Sequence, residues 1–454
     1  MKSETNKATS DDGTAKASSG GLGFMLRALG HRNYKLFFSG QSISLIGTWM
    51  TRIATSWLVY RLTGSALLLG VVGFAGQIPS FMLAPFAGVL VDRWNRHRLL
   101  IATQILALLQ SLALAILALT GLITIWHVIL LSVFQGLINA FDMPARQAFV
   151  VEMVEKREDL ANAIALNSSM VNAARLLGPS LGGVIIAAVG EGWCFMIDAV
   201  SYLAVIASLL AMKLTPRLKR QKDGANILQQ LREGWTYAFR FAPIRNVLLL
   251  LALVSLVGMP YTVLMPVFAN EVLHGGPYTL GLLMAASGVG ALVGAMFLAA
   301  RKSVLGLGKY IPLMAGAFGA GLIAFSFSRI LWLSLLLMVV TGLGFMVQMA
   351  ASNTVLQTIV EEDKRGRVMS FYTMAFMGTA PFGSLLAGSI AERIGAPRTL
   401  LFGGVGCVLG AIWFARALPA LRRDVRPIYV KIGILPEMAA GIQQTSELSV
   451  PPEA

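Results

Sequence analysis

The feature that most limits what this chain can fold into is the recurrence of apolar stretches of membrane-spanning length. They fall at roughly 38–61, 66–91, 99–120, 123–148, 161–189, 193–213, 246–270, 278–300, 309–328, 331–359, 368–391 and 396–418. A helix needs about 20 apolar residues to cross a hydrocarbon core, and a run of this kind satisfies its backbone in lipid only as a helix. Twelve such stretches predict an all-α membrane protein with twelve transmembrane helices. With 56% apolar and only 13% charged residues, a set of soluble domains is excluded.

Twelve crossings put both termini on one side of the bilayer. Of the 37 Lys and Arg residues, 31 lie before the first stretch, from Arg416 onward and in alternate loops at 92–98, 146–160, 213–245, 301–309 and 361–367. The side rich in basic residues is the cytosolic one. The prediction is therefore a multi-pass protein of the bacterial inner membrane with both termini cytosolic. A net charge of +15 does not here signal nucleic acid, because the cations are not gathered on one soluble face.

The remaining chemistry is sparse. Cys194 and Cys407 sit in separate apolar stretches, which excludes a disulfide framework. His31, His97, His127 and His274 are scattered without metal-ligand spacing, so neither a metal nor another cofactor is expected. No Walker-type loop is present: Gly308-Lys309-Tyr310 lacks the Ser or Thr, and Ser303 holds the place of the first glycine. No nucleophile, base and metal set appears, so an enzyme is not expected.

The loops divide the chain. Residues 1–32 read as a disordered cytosolic tail, 33–213 as an N-terminal six-helix half, 214–245 as a cytosolic linker, 246–418 as a C-terminal six-helix half and 419–454 as a disordered cytosolic tail. In the linker Ile227, Leu228, Leu231, Trp235 and Phe239 recur at helical spacing, which predicts an amphipathic interfacial helix. An internal repeat supports the two halves. A shift of 205 residues places Gly178, Gly183 and Gly190 on Gly383, Gly388 and Gly395, and a shift of 206 places Gly88 on Gly294, which Arg301 and Lys302 follow. Two homologous halves around a central path are the plan of a secondary transporter.

Three segments carry a resemblance to a known family. The loop GVLVDRWNRHR at 88–98 resembles the cytosolic signature between spans two and three of the major facilitator superfamily, with Asn95 where a glycine is usual. GPSLGG at 178–183 is similar to the Gly-Pro signature of that superfamily's antiporters. PARQAFVVEMV at 144–154, followed by Asn162, Asn167 and Asn172, resembles the bacterial efflux branch that includes enterobactin and macrolide exporters. The resemblance implies the major facilitator fold, two pseudo-symmetric six-helix halves. It also implies a gate made of Gly88, Asp92, Arg93, Arg96 and Arg98, with Arg93 paired to Asp142 and Asp92 facing the N-terminal end of span eleven near Val368. The plain alternative is a basic loop that only fixes topology. Ser132 stands where proton-coupled drug antiporters carry an arginine, four residues before the Gln135-Gly136 pair, so a copied coupling mechanism does not follow.

Path-lining helices must carry polar groups on one face, and in this architecture the resemblance assigns that task to the first helix of each three-helix unit. Span one has Gln41, Ser44, Thr48, Arg52 and Thr55; span four has Ser132, Gln135, Asn139, Asp142 and Arg146. Span ten is weaker, with Thr341, Gln348 and Ser352, and span seven offers Ser255, Thr262, Pro260 and Pro266. Such residues also serve as glue between helices. Intramembrane charges are sharper because each costs several kcal/mol unless paired or hydrated. Arg52 and Asp198 lie at similar depth and could pair. Arg175 either hydrogen-bonds carbonyls at a Gly178–Pro179 helix break or meets an anionic group on the substrate. The cavity set is then Gln41, Ser44, Thr48, Arg52, Gln135, Asn139, Asn172, Arg175 and Gln348, with Asp142 or Asp198 as candidate proton carrier.

These readings converge on a secondary active transporter that exports a small amphipathic molecule by alternating access, with protons as candidate coupling ion. The cargo is siderophore-like, an acidic metabolite or a drug. With few carboxylates in the spans, the balance leans toward anionic, zwitterionic or neutral cargo. A monomer in the lipid bilayer with a small-molecule substrate and no nucleic acid is expected. The alternatives are an importer or lipid flippase of the same fold, or a non-transporting membrane sensor.

Overall fold

The computed structural model describes residues 26–154, 156–213, 235–301, 303–432 and 434. Twelve long helices follow one another: α1 (Arg32–Thr63), α2 (Ala66–Arg93), α3 (Arg96–Leu119), α4 (Ile125–Met153), α5 (Leu160–Val189), α6 (Glu191–Leu210), α7 (Ala242–Val272), α8 (Pro277–Ala299), α9 (Leu307–Phe327), α10 (Leu331–Ile359), α11 (Lys364–Ile394) and α12 (Ala396–Lys431). No strand occurs among the described residues. Eleven of the helices are long and apolar enough to cross a membrane. The exception is α1, whose 32 residues are sufficient in length; its polar series from Gln41 to Thr55 makes it less apolar than the others.

The helix ends follow local chemistry. The Ser65 hydroxyl accepts from the Leu68 N–H to cap α2, and Gly64 ends α1 in the left-handed region. Asn95 is extended, with φ −73°, and its side chain caps α3 by accepting from the Arg98 N–H at 3.0 Å. Where a glycine is usual, the loop has exchanged backbone freedom for a cap. Helix α5 runs unbroken through Gly178 and Pro179, so the expected break is absent. Helix α12 continues to Lys431 through Pro419 and Pro427, although 419 onward reads as a disordered tail. Leu421 and Val425, one turn apart, bury their side chains and hold that extension. Of the linker helix, Ile227, Leu228 and Leu231 lie outside the described residues. Trp235 and Phe239 stack with centroids 4.0 Å apart, and Trp235 meets Phe371 of α11 at 5.8 Å.

The two halves repeat one packing pattern. In the first, α1 packs on α5 and α6, α2 on α4, and α3 on α4 and α6; in the second, α7 packs on α11 and α12, α8 on α10, and α9 on α10 and α12. The three glycine pairs related by 205 residues do the same work in each half. A Cβ on Gly178 would meet the α1 backbone at the Ile46 carbonyl, 2.9 Å away, and one on Gly383 would meet α7 at the Leu256 carbonyl, 2.3 Å away. Gly190 and Gly395 both take positive φ, 90° and 87°, between consecutive helices. The Gly88–Gly294 match is not equivalent: Gly88 faces open space and Gly294 packs on Val347. Lys302 lies outside the described residues.

Two seams join the halves, α5 with α8 and α2 with α11. A Cβ on Gly183 would lie 2.8 Å from the Gly281 Cα, and one on Gly388 would lie 2.9 Å from the Gly70 Cα. Two Gly–Gly crossings related by the repeat thus bring backbone onto backbone. Both lie toward the end of the bundle away from the termini, called here the distal end; the other is the proximal end.

Candidate functional site

Mid-span charge in this molecule is concentrated in the N-terminal half. Trp49, one turn before Arg52 on α1, lies under two guanidinium groups: that of Arg52 is 4.8 Å from the ring centroid and that of Arg175, from α5, is 5.4 Å. Like charges converge there because the ring face attracts both. Arg52 is exposed and Arg175 half-buried in mid-span, and neither has an ion pair among the described residues. Arg175 makes no hydrogen bond to carbonyls near Pro179. The turn that carries it meets the other half, since a Cβ on Gly288 of α8 would lie 3.2 Å from the Leu176 Cα. Eight residues separate Arg175 from Gly183, which places the guanidinium pair about 12 Å inside the distal seam.

The expected Arg52–Asp198 pair does not form. Asp198 of α6 points into the space between α1 and α3, where its Oδ2 accepts from the Ser111 hydroxyl at 2.7 Å and the Thr51 hydroxyl at 3.0 Å. Thr51 and Arg52 are adjacent on a helix and so leave it about 100° apart. One meets Asp198 while the other reaches Trp49. Asp198 is 1% exposed and its Oδ1 has no hydrogen-bond partner. Among the described residues Asp198 is thus held by hydroxyls, with no cation in contact.

Asp142 is held differently. The expected partner was Arg93; the structure gives Arg146, four residues on along α4, whose guanidinium pairs with Oδ2. Thr103 and Gln104 of α3 donate to Oδ1 at 2.9 and 2.8 Å. Helix periodicity favours the partner one turn away on the same element. Beside this pair, the Gln135 amide donates to Asn139 at 3.1 Å, so the polar stripe of α4 largely satisfies itself.

The other expected cavity residues separate into two groups. Thr48 is half-buried, 3.5 Å from the Tyr202 hydroxyl, and Asn172 donates to the Ser168 carbonyl on its own helix. Gln41, Ser44 and Gln348 are buried within their halves and do not line an open path. Gln348 donates to Ser352 at 3.4 Å, and beside it Phe345 joins an aromatic series with Phe318, Tyr261 and Phe376, neighbouring centroids lying 5.5 to 6.1 Å apart. The α7 and α11 partners meet through the Ser255 hydroxyl, which donates to the Phe376 carbonyl. Both ends of that bond lie in π turns, at Val254–Gly258 and Met374–Gly378, where the backbone pattern is interrupted.

The expected gate loop ties the first half together. Arg96 pairs with Glu152 of α4 at 2.6 Å, His97 Nε2 meets the Leu209 carbonyl of α6 at 2.8 Å, and Trp94 stacks on Phe141. Arg93 and Arg98 are exposed. The Asp92 side chain, and with it the contact expected near Val368, lies outside what the structure describes.

Polar contacts between the halves, among the described residues, cluster at the distal end. The Tyr60 hydroxyl of α1 donates to Glu271 at 2.7 Å and accepts from Asn270 at 3.2 Å. Glu392 accepts from the Ser65 hydroxyl and the Leu67 N–H, each at 3.0 Å, so a carboxylate of α11 sits on the N-terminus of α2. Sequence reasoning did not single out these carboxylates; the only signal was their position beside the next helix start. Trp49 was also missed, though its place one turn from Arg52 could have suggested it.

Comparison with known proteins agrees with this fold. The family model described as transmembrane secretion effector matches residues 26–430. The staphyloferrin A transporter of Staphylococcus aureus is 27% identical over 84% of this chain and 95% of its own length. The multidrug efflux pump Tap of Mycolicibacterium fortuitum is 27% identical over 78% and 88%, and macrolide efflux protein A of Streptococcus pyogenes 24% over 84% and 96%. In fold, the chain matches a bacterial homologue of the human lysosomal transporter Spinster at TM-score 0.66 and 15% identity, covering 87% of this chain and 98% of that one. It matches the nucleoside transporter NupG at TM-score 0.66 and 13% identity, covering 85% and 99%. The chain belongs to the transmembrane secretion effector family of the major facilitator superfamily, whose members are membrane transporters and not enzymes.

Proposed function

We propose that the protein exports a small amphipathic molecule bearing at least one negative charge, taking it up from the cytosol in the conformation described here and releasing it after the distal seams part. The observation that carries the reading is the pair of guanidinium groups over Trp49, without an ion-pair partner among the described residues and about 12 Å inside the distal seam. A bidentate guanidinium suits a carboxylate or phosphate, and the ring beside it suits an apolar body. The 31 basic residues of the tails and alternate loops support a cytosolic proximal end. Relatives named for staphyloferrin A transport and for drug and macrolide efflux support export of amphipathic cargo.

Protons supply the drive in this reading, and Asp198 is the carrier. Asp142 is committed to Arg146, Thr103 and Gln104, whereas Asp198 makes no ion pair among the described residues and leaves one carboxyl oxygen without a partner. Its bond to Thr51 links its protonation state to the position of α1 and hence to Arg52. Transport in inside-out vesicles tests direction: export predicts accumulation driven by an inward-acid gradient, and accumulation only in right-side-out vesicles would establish import.

A further inference from the structure

The repeat exposes a difference between the halves at the proximal end. In the first half the ends of α1, α3, α4 and α6 close on one another through a packed cluster that includes Tyr34, Leu100, Phe149 and Leu209. In the second half the corresponding ends, of α7, α9, α10 and α12, enclose a cavity of about 400 Å³. The shift of 206 that carries Gly136 of α4, packed on α2, to Gly342 of α10, packed on α8, carries Phe149 to Val355. Phe149 is fully buried, whereas Val355 lines the cavity. A smaller side chain at that place leaves room that the first half fills for itself.

The cavity is amphipathic in a directed way. Its wall is apolar, with Val247, Ile311, Phe414 and Leu418. Its rim carries Lys309 at the start of α9 and Arg422 and Arg426, one turn apart on α12. All three cations are exposed and take no hydrogen-bond or ion-pair partner among the described residues, and no carboxylate lines the cavity. No side chain caps α9, whose positive end adds to the same field. In the first half, by contrast, the rim cation Arg96 is neutralised by Glu152.

We infer that this cavity binds an anionic phospholipid of the adjoining leaflet, its phosphate on Lys309, Arg422 and Arg426 and an acyl chain against the apolar wall. Charge complementarity selects the headgroup, and basic pockets between helices at the cytosolic side are suited to such lipids. The assignment to the cytosolic leaflet rests on the orientation proposed above; the binding itself does not depend on cargo or direction.

Native mass spectrometry of the full chain, released from detergent in the presence of phosphatidylglycerol or phosphatidylcholine, reads binding directly. The expected result is a phosphatidylglycerol adduct at least about fivefold more abundant than the phosphatidylcholine one. It should fall to the phosphatidylcholine level in Lys309→Gln/Arg422→Gln/Arg426→Gln and persist in the charge-matched Arg398→Gln/Arg416→Gln/Arg423→Gln. Val355→Phe, which fills the cavity as Phe149 does, should weaken the adduct with the cations intact. Equal adducts of both lipids, or an adduct that survives the rim substitution, would overturn the inference. So would displacement by glycerol 3-phosphate at the same concentration as the lipid, which would make this a soluble-phosphate site. An adduct seen only after removal of residues 435–454, which carry Glu437, Glu447 and Glu453, would assign the cavity to the chain's own tail and overturn it as well.

Discussion

The two halves share a packing plan and differ in what they place at its centre. The first carries Arg52, Arg175 and Trp49 where the halves meet, and buries Asp198 and Asp142 in separate hydrogen-bonded sites. The second carries Tyr261, Phe318, Phe345 and Phe376 in one aromatic series and no Asp or Glu deep in a span. A repeat can therefore preserve its mechanical contacts while its halves divide the chemistry. The seams need glycine in both halves, because backbone approaches backbone at each. Under the proposed function, charge on one side is enough, since an amphipathic cargo has one polar end.

Substitutions can break this division. The largest effect is expected from Phe345→Ala, which removes a ring from the aromatic series and should lower stability by about 3 kcal/mol. Thermal unfolding in detergent measures it, and a loss under about 1 kcal/mol would mean that the series is loosely packed. Arg175→Gln removes a charge from the path without disturbing an ion pair. A lost charge-assisted bond of about 1.5–3 kcal/mol predicts transport reduced roughly 10- to 100-fold at unchanged expression. Unchanged transport would remove the guanidinium pair from the site.

Coupling provides a finer contrast. Asp198→Asn should leave the fold intact and abolish the response of transport to a proton gradient, because the amide can still accept from Ser111 and Thr51 but binds no proton. Asp142→Asn should retain that response while losing stability through the stranded Arg146. The reverse assignment of the two phenotypes would move the carrier to α4. The smallest effect belongs to the distal end. Glu392→Gln weakens a carboxylate cap worth about 1 kcal/mol, so a cysteine placed at Leu67, which keeps the backbone N–H, should label roughly fivefold faster. An unaltered rate would mean that the glycine crossings alone hold the seam.

Much of the fold was legible because lipid leaves few options. Apolar length gave the helices, and the 205-residue glycine spacing marked positions that prove structurally equivalent. The site was legible only in its charges. Arg52 and Arg175 stand out in any apolar stretch, whereas their convergence on Trp49 depends on how α1 and α5 cross. Pairings failed where a nearer partner existed, as Arg146 was for Asp142. The polar stripe of α10 misled because Gln348 turns its amide to Ser352 and both are buried inside the second half. The extent of α12 was missed because Pro419 and Pro427 suggest a tail, while the burial of Leu421 and Val425 depends on helices distant in sequence.

The central claim is that the charge of the first half selects the cargo. Its most direct test is an untargeted metabolite comparison of medium from cells carrying the intact protein, the Arg52→Gln/Arg175→Gln variant, or neither. The account predicts that an amphipathic compound with a carboxylate or phosphate group appears in the medium only with the intact protein. A cationic compound exported equally by the intact and variant proteins would contradict it.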